Sequence, residues 1–139
     1  VHTMGMVLAH EQILYPSFIR KTVIDNCRNR DYAFYDAGNN NRFQAYWLPG
    51  ALQTGNAKVV ASSRSNSYGT LSYYLNSAKT RETAVIALPQ GSSAAGTAVT
   101  IYDPLTGETR AAKLGDRLEI EPYMFKMVLH GDPTVWKDL

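Results

Sequence analysis

Thr97 to Leu129 reads TAVTIYDPLTGETRAAKLGDRLEIEPYMFKMVL, and its alternation decides the fold class. Side chains two apart share a face of a strand, so Val99 and Ile101 point one way while Ala98, Thr100 and Tyr102 point the other. Asp103-Pro104-Leu105-Thr106-Gly107 then writes a sharp turn. Pro104 presets φ, Asp103 can cap the turn through its carboxylate, and Gly107 tolerates a left-handed exit. Beyond it, Leu118 and Ile120 alternate with Arg117, Glu119 and Glu121. That is the pattern of a half-buried strand, and Tyr123 to His130 follows as the last one.

Working back towards the N-terminus, further strands are expected at Arg42–Trp47, Lys58–Ser63, Thr70–Leu75 and Glu82–Leu88. Pro49-Gly50, the polar Ser65–Gly69 stretch and Pro89–Ser93 separate them, each a cluster of turn residues. Lys58–Ser63 and Thr70–Leu75 should pair as a hairpin. Ser92–Gly96 reads as a loop between sheets. The sum is a mainly β fold, an antiparallel β-sandwich of about seven or eight strands.

The first part of the chain has a different period. Met4–Tyr15 is a helix candidate, and Pro16 interrupts it before a second helix. Ile19, Val23 and Cys27, joined by Ile24, form an apolar stripe at helical spacing. The helical signal fades at Asn29-Arg30-Asp31, and Tyr32–Tyr35 reads as a short aromatic run. Asp36–Asn41 is dense in turn residues and marks the chief boundary. The organisation expected is therefore a helical segment with its Asn/Gly-rich boundary over 1–41, and the β-sandwich over 42–139.

Composition bounds the function classes. The chain has 139 residues, 45% of them hydrophobic, a formal net charge of +2 and 19% charged residues. So mild a charge points away from nucleic acid. No apolar run approaches the length of a membrane span. The single cysteine excludes a disulfide framework and any multi-cysteine metal site. No secretory leader is legible at Val1-His2-Thr3, and the chain is expected to be a processed form or, preferably, a piece of a longer polypeptide.

Taken together, RFQAYW at 42–47, VVASS at 59–63, SYYLNS at 72–77, TAVIALPQ at 83–90, VTIYDPLTGE at 99–108 and the strand after LEIEPY resemble one known arrangement. It is the C-terminal β-sandwich that follows the catalytic barrel in many glycoside hydrolases. The resemblance implies that Met4–Tyr35 corresponds to the closing helical part of the barrel. A (β/α)₈ barrel needs about 250 residues and carries its chemistry on loops after its own strands. No catalytic residue of the family therefore transfers to this sequence.

Glycoside hydrolysis needs a protonated and an ionised carboxyl flanking the scissile bond. Glu119 and Glu121 share a strand face, yet that spacing is equally the mark of a solvated face. His10-Glu11 lacks the second histidine of a zinc-protease helix, since position 14 is Leu. His130 could hydrogen-bond Asp132 locally. Cys27 sits on the apolar stripe and reads as a buried thiol. No Gly-x-Ser-x-Gly elbow, phosphate loop or cofactor signature is present, so no cofactor is expected.

Tyrosine is the compositional outlier, with nine copies. Tyr46 and Trp47, with Tyr68, Tyr73 and Tyr74, are the candidate carbohydrate-contact residues, because a sugar lays its C–H face on an aromatic ring. On a strand Tyr46 and Trp47 would face opposite ways, leaving one for the platform and the other for core or interface. The expected role is non-catalytic: packing against another domain or chain, with a carbohydrate contact. An exposed helix stripe would create the need for that partner. The alternative is a free-standing structural subunit whose partners are copies of itself, with an extracellular or cell-surface setting favoured. A hydrolase built on this sandwich alone is the third class.

The inward assignment of Leu118 is testable directly. Leu118→Asp should cost about 4 kcal/mol or more and abolish a cooperative thermal melt, because it buries an unpaired charge. Melting at the parent temperature would place Leu118 on the outside.

Overall fold

A computed structural model describes Ala9 and residues 21–92 and 98–139. Helix α1 runs Lys21–Ala37. Eight strands follow: β1 Arg42–Gln44, β2 Val59–Ser65, β3 Thr70–Asn76, β4 Glu82–Val85, β5 Val99–Tyr102, β6 Thr109–Ala112, β7 Arg117–Ile120 and β8 Phe125–His130. A 3₁₀ turn at Pro133–Trp136 closes the described chain. The expected helix at Met4–Tyr15 and its restart at Pro16 lie outside the described residues apart from Ala9, as does most of the Ser92–Gly96 loop.

The strands form two antiparallel sheets, as the alternation predicted. One has six strands in the order β1-β2-β3-β8-β5-β6, and β4 pairs with β7 in the other. The β2–β3 hairpin sets Val59 opposite Asn76 and Ser65 opposite Thr70. The Asp103–Gly107 turn joins β5 to β6 as read from sequence. Asp103 Oδ1 accepts from the Leu105 amide at 2.8 Å, and Gly107 takes φ +78°.

The large sheet is covered on both faces. Leu71, Tyr73, Leu75, Tyr102, Phe125, Met127 and Leu129 pack with Cys27, Phe34 and Trp136 on the helix side. Tyr74, Val99, Ile101 and Val128 pack on the other side with Ala84, Ile86, Leu118 and Ile120 of the small sheet and its flanks. Each layer follows from period two: neighbours along β3 and β8 alternate between the clusters. Buried Asn76 stitches the sheets, donating to Thr80 O, Ile120 O and Glu121 O at 2.8, 3.0 and 3.2 Å. Tyr74 does the same through its hydroxyl, which accepts from the Ala87 amide at 3.0 Å.

Several local expectations are corrected. α1 does not fade at Asn29-Arg30-Asp31 but continues through the Tyr32–Tyr35 run to Ala37. Tertiary contacts override the weak propensity there: the Arg30 guanidinium lies over the Tyr102 ring at 3.9 Å, and Asp31 accepts the Tyr73 hydroxyl. The described part of the apolar stripe is not exposed: Ile24 and Cys27 are buried, Cys27 against the sheet, and Ile19 lies outside the described residues. β1 stops at Gln44 rather than Trp47 because the chain turns at 46–50, with Leu48 N donating to Ala45 O at 3.1 Å. β4 ends at Val85 rather than Leu88, and β2 runs two residues past Ser63.

One close approach fixes the end of the β2–β3 hairpin. A Cβ on Gly69 would stand 2.0 Å from the His130 carbonyl oxygen, so only glycine lets the turn lie on β8. His130 itself is 1% exposed, and neither ring nitrogen has a hydrogen-bond partner among the described residues. It does not bond Asp132, whose Oδ1 instead accepts from the Thr134 amide at 2.9 Å and caps the 3₁₀ turn.

Burial pushes the His130 imidazolium from the ordinary 6.5 down to about 4. Folding therefore disfavours the proton. Stability should be whole above pH 6.5 and decline as pH falls towards 4, by up to about 3 kcal/mol. Urea melts of the wild type and of His130→Leu across that window check this. The variant should show a shallower acid loss, and parallel curves would show that His130 is not the group titrating.

Candidate functional site

The aromatic residues separate into buried and accessible groups. Tyr73 and Tyr74 are buried, on opposite faces of β3, and neither offers a ring to solvent. This removes both from the expected platform. Being adjacent on a strand covered on both sides, each is taken into a different core. Burial first, then the Asp31 carboxylate, hold the Tyr73 phenol well above its usual value. Burial raises Tyr74 to about 12.

Tyr68 lies in the β2–β3 turn, half-buried, with its ring edge-on to Phe34 at 6.3 Å and its hydroxyl donating to Asp132 O. It ties α1 and the 3₁₀ segment together at that end of the hairpin. Tyr46 lies elsewhere, against the middle of β2, where its amide donates to Ser62 Oγ at 3.1 Å. The candidates therefore do not converge on one platform.

What does come together is Tyr46 with Trp47. Because β1 has ended, the two do not face opposite ways; their rings meet edge to face at 4.9 Å. Trp47 is 55% exposed and Leu48 47% exposed. Tyr46 also walls a cleft of about 390 Å³ with Leu52, Gln53, Thr54 and Asn56. Much of that wall's polarity is already used. Thr54 Oγ1 lies within 2.9 Å of Asn56 O and 2.8 Å of Val59 O, sharing its one proton between them, and Asn56 Nδ2 donates to Glu82 Oε2 at 3.0 Å. The bond from Asn56 and one from Thr80 Oγ1 at 2.8 Å, with Lys58 close by, hold the Glu82 carboxyl below its usual range. The surface is thus an aromatic and aliphatic shelf beside a braced loop, suited to flat apolar contact.

The groups that could have carried covalent or acid–base chemistry are occupied structurally. Glu119 and Glu121 do share a face, but both meet Arg81, at 2.5 and 3.1 Å. Desolvation lifts Cys27 to about 12, the state of an inert buried thiol. Among the described residues no three His, Cys, Asp or Glu side chains gather as a metal site, and no helix is long and apolar enough to cross a membrane.

The residue missed by sequence reasoning is Arg30. It was placed where the helix was expected to fade, yet it is 7% exposed and stacked between Tyr102 and Trp136. The signal available was spacing, since position 30 lies three after Cys27 and four before Phe34.

The two tryptophans should separate cleanly on mutation. Trp47→Ala should change stability by no more than about 0.5 kcal/mol, as at exposed sites generally. Trp136→Ala should cost about 3–5 kcal/mol, since its ring is buried and its indole N–H is bonded to Arg30 O at 3.2 Å. Chemical denaturation followed by far-UV circular dichroism measures both. Equal costs would contradict the assignment of Trp47 to the surface.

No family model and no curated protein sequence matches the chain. Among solved structures, a GH27 β-L-arabinopyranosidase from Geobacillus stearothermophilus is similar at 13% identity and a TM-score of 0.39, over 55% of this chain and 18% of that one. A GH30 endoxylanase from Clostridium papyrosolvens C71 is similar at 14% identity and a TM-score of 0.42, over 58% of this chain and 22% of that one. The present chain thus matches about a fifth of the length of these structures. The similarity to glycoside hydrolase chains is distant and partial.

Proposed function

We propose that this chain is the non-catalytic β-sandwich portion of a glycoside hydrolase-like protein. It packs against a partner domain or chain through the surface beyond β1 and contacts carbohydrate on the Trp47 ring. The observation that carries this reading is the exposure of Trp47 and Leu48 side by side next to the Tyr46 cleft. Large apolar side chains exposed together at a sheet edge mark contact surfaces more often than isolated ones do. β1 is only three residues long and is the outer strand of the large sheet, so backbone pairing there is short. Side-chain contact is what the edge offers. The glycoside hydrolase-like parent comes from the sequence resemblance of 42–129.

A free-standing assembly subunit is the second reading. It is favoured by β6, the other outer strand, whose Thr109–Arg110–Ala111 are exposed. A chain open at both edges can join copies of itself.

Affinity electrophoresis through soluble glycans, with light scattering over a wide concentration range, tests the proposal. Glycan retardation should be lost in Trp47→Ala while the melting temperature is kept. Equal retardation of the variant, or a monomer that no glycan slows, would overturn the carbohydrate role. Self-association without glycan retention would support the assembly subunit instead.

A further inference from the structure

At the far edge of the large sheet, a cleft of about 460 Å³ opens between β5, β6 and the 3₁₀ turn. Its wall includes Arg30, Thr100, Thr109, Thr134, Trp136 and Lys137. We propose that this cleft binds a small hydroxycarboxylate, with the Arg30 guanidinium at its base taking the carboxylate.

Arg30 is more than nine-tenths buried, yet no carboxylate lies within ion-pair distance of it among the described residues. One amino group donates to Asn26 O at 3.1 Å, and the buried Nε donates to nothing. The Tyr102 ring at 3.9 Å and the Trp136 ring at 5.9 Å supply cation–π attraction on the sides. Neither ring takes a guanidinium N–H group, and the bond to Asn26 O is the one that the Arg30 side chain makes among the described residues. A buried guanidinium without an anion is costly, and a bidentate carboxylate is the group whose geometry matches it.

The rest of the wall selects what carries the carboxylate. It contains no Asp or Glu side chain, and Lys137 adds a second cation at the exposed rim. The hydroxyl side chains of Thr100, Thr109 and Thr134 come from three different elements and offer partners to hydroxyls on the ligand. The volume falls within the range of small-molecule sites. A carboxylate with several hydroxyls uses the cation and the threonines together; a bare anion uses only the first.

Isothermal titration and thermal shift with gluconate, glucuronate, glucose and inorganic phosphate test this. Gluconate or glucuronate should bind saturably and raise the melting temperature, with glucose inert and phosphate at least about tenfold weaker. Arg30→Met, which keeps a long unbranched side chain but removes the charge and the N–H donors, should weaken binding by roughly 10- to 100-fold. Should that variant not fold, Lys137→Ala combined with Thr134→Val alters only exposed rim residues. The double variant should weaken hydroxycarboxylate binding while melting like the parent. No binding of either acid to the wild type, binding unaltered in the rim variant, or phosphate binding as tightly as the acids would each overturn the assignment.

Discussion

Every residue of β3 is buried, and the rest of the molecule is built around that constraint. A strand with one wet face can place its polar residues in solvent; this one cannot. Leu71, Tyr73 and Leu75 enter the layer shared with α1, while Tyr74 and its polar neighbours enter the layer shared with the small sheet. Every polar group on the strand must then find a protein partner or leave desolvation uncompensated. Ser72 meets Ser63 at 2.9 Å, Thr70 meets Ser65 at 3.0 Å, Tyr73 meets Asp31, and Asn76 is shared among backbone carbonyls of the facing loop and strand. His130, directly opposite Thr70 on β8, is a group for which this is not done among the described residues. Its depressed pKa makes it one acid-sensitive point of the fold.

The same double coverage decides where function can reside. With both faces of the large sheet occupied by protein, its centre is closed to ligands. Two accessible surfaces lie at the outer strands, and they differ in chemistry. Beyond β1 the chain presents Trp47 and Leu48, aromatic and uncharged. Beside β6 it presents Arg30, Lys137 and threonine hydroxyls. Neither surface holds a pair of carboxyls poised as acid and nucleophile, and Glu119 with Glu121 is spent on Arg81.

The architecture was legible in sequence because its signals are local. Alternation at Val99–Tyr102 and Arg117–Ile120, and Asp103–Gly107 with its proline and glycine, need no distant partner to be read. Helix α1 was legible up to Cys27 for the same reason. Beyond it, Asn29-Arg30-Asp31 has weak helical preference, and the contacts that hold it helical come from β3, β5 and the 3₁₀ turn. Likewise Trp47 was assigned to a strand face because the turn following Gln44 is not marked by glycine or proline until Pro49-Gly50.

By itself, then, the sequence determined which side chains share a face, where the chain reverses, and that the fold is an antiparallel β-sandwich preceded by a helix. The tertiary structure alone decided which faces are covered. Period two says that Tyr73 and Tyr74 point apart, but a residue's own strand carries no record of what packs on either side of it. Only when α1 lies on one face and the β4–β7 sheet on the other do both tyrosines become core. By the same packing, Arg30 moves from the point where the helix was expected to fade to the buried wall of a cleft. The physical reason is that strand and turn geometry are set by neighbours in sequence, whereas exposure is set by whichever distant surface arrives.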